Sequence, residues 1–391
     1  MQKQVRLGII GLGNMGTAHA KNILAGKVPD IMLTAIADTD ESRLQWAREN
    51  LPRDIALFSS AEELIQSGKC DAVLIAVPHY DHPPLAIAAM KHQLHVMCEK
   101  PAGVYTKQVR EMNEIADQSD VVFGLMFNQR TNPVYRKMYD IVKSGEMGEI
   151  KRTNWIVTNW YRTQAYYDSG SWRATWAGEG GGVLLNQCPH NLDLWQWICG
   201  MPCKVVAFCH NGKWHDIEVE DDVTAYVEYP NGATGVFVTS TGDAPGTNRF
   251  EITLEWGKLV CEDDKLIQYK LSENERVFCK TSPDGFAIPE VTVNEISVEG
   301  ENPQHIGVLR AFADAILRGG ALVAKGQEGI NSLMISNAMH LSSWLGKPVE
   351  LPIDEDLFLQ ELNKRRATSR LKKTKPVYFD TEGTYGSTPT K

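Results

Sequence analysis

The feature that most constrains this chain is Gly11-Leu-Gly13-Asn14-Met15-Gly16, set directly behind an apolar run that begins at Val5 and ahead of a helix-compatible stretch. Each glycine has its own task in such a strand-to-helix turn. Gly11 permits the tight turn, Gly13 lets backbone approach a pyrophosphate, and Gly16 lets the helix pack on the strand. The helix N-terminus then offers free N–H groups and a positive dipole end to phosphate. A second apolar run, 32–37, ends in Asp38, 22 residues after Gly16. An acid there accepts hydrogen bonds from ribose hydroxyls and repels a 2′-phosphate. The pattern predicts dinucleotide binding by Gly11, Gly13, Asn14, Met15, Gly16 and Asp38, with NAD favoured over NADP. Arg43 keeps NADP open, since a nearby arginine can hold a 2′-phosphate. The competing reading of Asp38 is a cap for the next helix.

The first 130 residues repeat one texture. Short apolar runs (VRLGIIG, MLTAIAD, DAVLIAV, HVMCEK, VVFGLMF) alternate with helix-like stretches at 41–50, 61–67, 84–92 and 107–119. Near-continuous apolar strands between helices predict a parallel sheet covered on both faces, a doubly wound α/β domain. After Arg130 the texture changes. A helix at 132–144, ended by Gly145, leads into alternating runs at 150–161, 205–210, 223–229, 234–241, 250–256 and 259–266. Turn signals such as Pro230-Asn231-Gly232 join several of them. These predict a largely antiparallel sheet with helices at 182–198, 304–318 and 326–345. The expected division is 1–128, 129–360, and a basic tail at 361–391.

Charge and cysteine usage exclude other classes. The chain has 40 basic and 49 acidic residues, a formal charge of −9, the wrong sign for most nucleic-acid binders. Residues 364–391 carry eight basic and two acidic residues, so the tail is +6 and the rest is −15. A solvated tail is the expected outcome, or one folded back onto the acidic body or a neighbouring subunit. The start shows no basic head followed by an apolar core, so no signal peptide is read. The longest uncharged run, 329–346, carries Asn and Ser throughout and reads as a buried helix and not a membrane span. Eight scattered cysteines form no disulfide framework, which fits a reducing, cytoplasmic setting.

Two further elements carry chemistry. Glu99-Lys100-Pro101 closes the run LHVMCEKP. Ligands of an open α/β sheet bind beyond the carboxyl ends of its strands, so Lys100 is placed to reach a reacting centre. An amine beside a cationic cofactor has a lowered pKa and can relay the proton of a substrate hydroxyl. On the tripeptide alone, a surface lysine is the competing reading. The second element is Gly180-Gly-Gly-Val-Leu-Leu-Asn186-Gln-Cys-Pro-His190-Asn-Leu-Asp193. Asn186 and His190 are four apart and are expected on one helix face. Histidine suits proton transfer near neutrality. Asp193 is expected either to orient His190 or to make a structural hydrogen bond. No metal site is expected here, because His190, Cys188 and Asp193 make a poor ligand set.

These elements, in this order, resemble the Gfo/Idh/MocA oxidoreductase family, named for glucose–fructose oxidoreductase, inositol dehydrogenase and a rhizopine catabolism protein. The resemblance covers roughly residues 4–355. It rests on GLGNMG, AVPHYDH at 76–82, EKP, FNQRTNPVYRKM at 127–138, WR at 172–173, GGGVLLNQCPH and the late GQEGINSLMISNAMHLSSWLGKPVELP. It implies an N-terminal Rossmann dinucleotide-binding domain and a C-terminal α/β domain with a large, mostly antiparallel open sheet. That sheet commonly forms homodimers or homotetramers in the family. It also implies Lys100 and His190 as the proton-handling pair. Pro78, His79, His82 and Glu99 are expected on the cofactor side, with helix capping the competing reading for the two histidines. Many sugar and inositol dehydrogenases of the family carry aspartate where this chain has Asn186, and an amide takes no proton.

Residues 155–197 hold six of the ten tryptophans, about half of them expected in the core. Aromatic faces pack on sugar C–H faces. The expected substrate contacts are Asn128, Tyr161, Arg162, Tyr166, Arg173, Asn186, His190 and His305. Gln164 and Asp168 lie in the same loop. The expected activity is NAD-dependent oxidation, or reversible reduction, of a ring hydroxyl of a sugar, glycoside or cyclic polyol. Two alternatives stay open. One is a glycoside-cleaving or glycoside-oxidising enzyme with tightly bound, recycled NAD. The other is a non-enzymatic NAD-binding regulator.

Overall fold

The computed structural model describes residues 3–372 and 377–379. Six strands, β1 (Val5–Ile10), β2 (Ile31–Ala37), β3 (Ala56–Phe58), β4 (Ala72–Ile75), β5 (His95–Cys98) and β6 (Phe123–Leu125), form a parallel sheet. Their order is β3-β2-β1-β4-β5-β6. β4 is buried along its whole length, as a strand covered on both faces must be. The order reverses between β1 and β4, which opens a crevice at their carboxyl ends. The helix Asn14–Leu24 starts at that crevice.

A second sheet has nine strands: β7 (Ile150–Val157), β8 (Lys204–Asn211), β9 (Glu220–Glu228), β10 (Thr234–Ser240), β11 (Asn248–Leu254), β12 (Gly257–Glu262), β13 (Lys265–Leu271), β14 (Val291–Ile296) and β15 (Val349–Glu350). Its order is β14-β13-β12-β11-β7-β10-β9-β8-β15, and β7–β10 is its parallel pair. The two-residue period sets its faces. In β9, Val223, Ala225 and Val227 are buried, while Thr224 and Tyr226 are exposed. The inner face packs under the helices Pro189–Cys199 and Gly329–Leu345, with Trp195 stacked on Phe237. The two domains share one continuous core cluster.

Several elements differ from the sequence reading. The run 150–161 leaves the sheet at Val157, where Thr158 N–H turns to Thr247 O and Trp160 is anchored to Asn191. The run 259–266 is split into two strands by Asp263 and Asp264, both at positive φ. Aspartate tolerates that region, and two such residues make a tight hairpin turn. The helix expected at 182–198 begins only at Pro189, because Glu220 Oε1 accepts from Gly182 and Leu184 N–H and diverts the backbone. Proline lacks the N–H that a first-turn residue would leave unpaired. The helix Gln304–Arg318 lies beyond residue 128 yet packs on the first sheet, with Val308, Leu309 and Phe312 in one cluster with Val5, Leu7 and Ile9. The helix Glu355–Thr368 runs past the expected start of the tail at 361. Among the described residues no helix is long and apolar enough to cross a membrane.

Candidate active site

The glycine loop is built for backbone approach. Gly11 has φ +93°, and a Cβ there would meet Ala76 O. A Cβ on Gly16 would collide with the Gly11 carbonyl oxygen, whereas one on Gly13 would meet nothing within 4 Å. The helix that follows has no side-chain cap, and Asn14 Oδ1 is buried without a hydrogen-bond partner. Open space above Gly13 and uncapped backbone N–H groups fit a bound pyrophosphate. Asp38 grips this loop: it accepts from Leu12 N–H at 2.7 Å and Asp40 N–H at 2.8 Å. The helix cap is Asp40, which accepts from Ser42 N–H at 2.9 Å. Arg43 is turned inward, donating to Leu12 O at 2.7 Å and Thr17 Oγ1 at 2.8 Å, with Tyr378 stacked 4.1 Å from its guanidinium carbon. Gly13 and Gly16 are therefore expected to separate on mutation. Gly13→Ala should fold normally and lose NAD affinity about tenfold or more, while Gly16→Ala should lose about 1–3 kcal/mol of stability. Thermal melts with and without NAD read both, and equal behaviour of the two variants would refute the assignment.

Lys100 follows β5. Its ammonium donates to the backbone carbonyl of Asn186 at 2.7 Å, and its own N–H donates to Glu99 Oε2 at 3.2 Å. Burial lowers the Lys100 pKa, against the charges of Glu99 and Glu179. Burial pushes the Glu99 carboxyl up, but His19, 2.7 Å away, and the charges of His305 and Lys100 outweigh it and hold it at about 2. His82 is 1% exposed, with Nδ1 2.7 Å from Pro101 O and Nε2 2.8 Å from Val77 O. Both ring nitrogens thus face backbone carbonyls, and the residue ties the strand ends together instead of opening onto the crevice. Pro78 precedes the short turn His79–Asp81. His79 is buried, with Nδ1 3.3 Å from Glu179 O and its ring edge against Trp172.

His190 sits in the first turn of its helix, and Asn186 lies in the turn before it, so the two do not share a helix face. The side-chain amide of Asn186 donates to Glu179 Oε1, and its oxygen accepts from Tyr166 Oη–H at 3.2 Å. Asp193 does not orient His190. It accepts from Arg130 Nε and Nη2, both at 2.7 Å. Burial, then the charges of Lys100 and His305, push the His190 pKa well down, so the ring is neutral. His190 Nδ1 and both amide atoms of Asn128 are buried without hydrogen-bond partners. Burial takes the His305 ring down to about 4, and it meets His19 edge to face with ring centroids 5.5 Å apart.

The loop after β7 carries most of the expected substrate contacts. Arg173 Nη1 donates to Tyr166 Oη at 2.7 Å, and the Arg162 guanidinium lies over Tyr166 and Trp160. Tyr161 is exposed. Trp155, Trp160, Trp176 and Trp195 are buried and Trp197 stacks on Tyr139, so more of the tryptophans are structural than expected. Trp172 remains beside His79 and Arg173. The described part of the tail folds back on this loop. Lys372 bonds to Asp168 and Ser171 O, and Val377 N–H donates to Ser169 O. Tail residues 373–376 and 380–391 lie outside the described residues.

Sequence reasoning missed three buried groups. His19 lies three residues after Gly16, one turn along the same helix, and that spacing was its signal. Glu179, just ahead of three glycines, was visible but unread. Arg130 gave no signal, because both its partners are remote. Among the described residues no cluster of three or more His, Cys, Asp or Glu is set to hold a metal.

Comparisons with known proteins agree with this geometry. Residues 5–127 match the oxidoreductase family with the NAD-binding Rossmann fold, and residues 135–260 match the GFO/IDH/MocA C-terminal domain. An inositol 2-dehydrogenase of Corynebacterium glutamicum is 33% identical over 243 residues, 58% of this chain and 67% of that protein. The myo-inositol 2-dehydrogenase of Thermotoga maritima is 29% identical over 265 residues, 66% of this chain and 75% of that protein. The WlbA dehydrogenase of Bordetella pertussis, solved with NADH and UDP-GlcNAcA, superposes with a TM-score of 0.76 at 25% identity, covering 90% of this chain and 99% of that one. A glycine loop fit for a dinucleotide pyrophosphate, on a Rossmann sheet joined to a large open sheet, is thus matched domain by domain, and the chain belongs to the Gfo/Idh/MocA family of NAD-binding oxidoreductases.

Proposed function

We propose that this enzyme uses NAD to oxidise a ring hydroxyl of a sugar, glycoside or cyclic polyol. The observation that carries the reading is a lysine amine and a neutral histidine with an unpaired nitrogen, brought to the carboxyl ends of a dinucleotide-binding sheet. A bound nicotinamide supplies the hydride acceptor. Lys100, biased toward the free amine by burial, takes the hydroxyl proton, and neutral His190 holds the same oxygen by hydrogen bond or takes the proton itself. Asn128 offers an unpaired amide to a further hydroxyl. Tyr166 and Arg173 border the same space. Asp38, held toward the loop, supports NAD over NADP, and the inward bonds of Arg43 remove a ready 2′-phosphate contact.

Tyr378, stacked on Arg43 beside Asp38, supports a cofactor that is retained, which is what a second reading, glycoside cleavage with recycled NAD, requires. The outer face of the second sheet exposes Ile156, Phe208, Tyr226 and Val236, which supports a homo-oligomer through that face. Light scattering at a single-chain mass would exclude it.

The test is an NADH absorbance screen with NAD⁺ and NADP⁺ over inositols, free hexoses and aryl O- and C-glucosides. Turnover with one substrate class, at least about tenfold faster with NAD⁺, is the expected result. Glycoside consumed without net NADH moves the reading to recycled cofactor. Tight NAD binding with no substrate consumed moves it to a non-enzymatic regulator.

A further inference from the structure

Glu179 is a buried carboxylate that the proton transfer above does not use. It is 1% exposed. Its Oε2 accepts from Ala174 N–H at 2.5 Å, its Oε1 accepts from the Asn186 amide, and Arg173 Nη1 stands 3.7 Å away. Burial raises the Glu179 pKa, and Arg173, the Ala174 N–H, the Asn186 amide and Lys100 work against that rise and favour the carboxylate. Asn186 joins this group to the reacting centre. Its side chain is held by Glu179, and its backbone carbonyl accepts from Lys100 Nζ at 2.7 Å. Tyr166 donates to the oxygen of the same amide and accepts from Arg173, and the 3.7 Å ion pair between Arg173 and Glu179 closes the circuit.

We infer that Glu179 is a positioning residue of the reaction: through Asn186 it fixes where Lys100 points, and it places a negative charge beside that amine. Glu99 and Glu179 favour the Lys100 ammonium, while Arg173 and Arg162 oppose it. The neighbouring rings of His79, His190 and His305 are kept neutral by burial. Removal of the Glu179 charge leaves the two arginines answered by Glu99 alone. Lys100 then loses its proton at lower pH, and its tether through Asn186 slackens.

The inference rests on Lys100 as the proton acceptor, so its test reads Lys100 without requiring turnover. Trace acetylation of the full-length protein with acetic anhydride across pH, quantified on the Lys100 peptide by mass spectrometry, gives the titration midpoint. Glu179→Gln is expected to lower that midpoint by about one pH unit. Glu179→Gln with Asn186→Asp returns an anion across the same hydrogen bond and is expected to restore most of the shift. An unchanged midpoint in folded Glu179→Gln overturns the inference. Where the single variant fails to fold, the double variant decides: a midpoint near wild type supports the role, and one still a unit lower overturns it. In the NADH screen the acid limb of kcat/KM should follow the same displacement. A wild-type enzyme inactive on every substrate would instead defeat the functional reading and leave the acetylation result intact.

Discussion

A Lys100→Met enzyme is expected to fold, to bind NAD, and to form NADH about 10²–10⁴-fold more slowly than wild type. Methionine retains most of the apolar stem that packs in the crevice, so the change is confined to the amine. That amine makes its hydrogen bond to Asn186 O, a carbonyl that water can satisfy once the nitrogen is gone. The expected pH profiles differ as well. Lys100 acts as the free base, and burial lowers its pKa, so wild-type oxidation rises with pH through that lowered value. In Lys100→Met the limb disappears, and what remains reports His190 alone. His190→Ala should also cost rate, but the two losses should not add, because both residues handle one proton at one oxygen. A Lys100→Met enzyme within tenfold of wild type at neutral pH would place the base elsewhere.

Cofactor site and substrate site differed in how far the sequence exposed them. The glycine loop was legible because its constraints are local. Gly11 needs a positive φ and Gly16 lies against the Gly11 carbonyl, and both demands show as glycines at fixed spacing. Lys100 was legible because a strand end is a local feature too. The β5 strand and its following proline announced where the side chain begins. The partners of these groups were not legible, because topology supplies them. His19 reaches Glu99 across 80 positions, and Lys100 reaches Asn186 across 86. The start of the His190 helix was misread for the same reason. Residues 182–188 have apolar, helix-compatible character, but Glu220, on another strand, captures two of their N–H groups. Local propensity lost there to a remote carboxylate. Asp193 is expected from sequence either to orient His190 or to make a structural hydrogen bond, and the fold supplies the second. Its spacing from His190 could not name the partner of that bond, because Arg130 lies 63 positions away.

That remote pair is the site of the largest stability effect expected outside the cores. Arg130 lies in the turn Asn128–Thr131 after β6, and Asp193 lies three residues past His190 in the helix Pro189–Cys199. Their side chains are 2% and 1% exposed and bond bidentately at 2.7 Å, with Glu328 2.7 Å from the remaining nitrogen. Burial works against the guanidinium charge, and Asp193 and Glu328 together outweigh it. Asp193→Ala leaves that cation without its buried partner and should destabilise the protein by about 3–5 kcal/mol. Asp193→Asn keeps the shape and loses the charge, so it should fall between wild type and alanine. Arg130→Met with Asp193→Leu removes both charges and should be less damaging than Asp193→Ala, since no ion is left stranded. Chemical denaturation of the three variants gives the comparison directly. A double variant worse than either single change would mean that the pair stabilises through its bonds and not merely by mutual neutralisation. The pair also ties the helix that carries His190 to the turn that carries Asn128. Asp193→Asn should therefore slow NADH formation more than its stability loss explains, with kcat falling while NAD affinity holds. A variant destabilised as expected but fully active would separate the clamp from the chemistry and leave Arg130–Asp193 a purely structural pair.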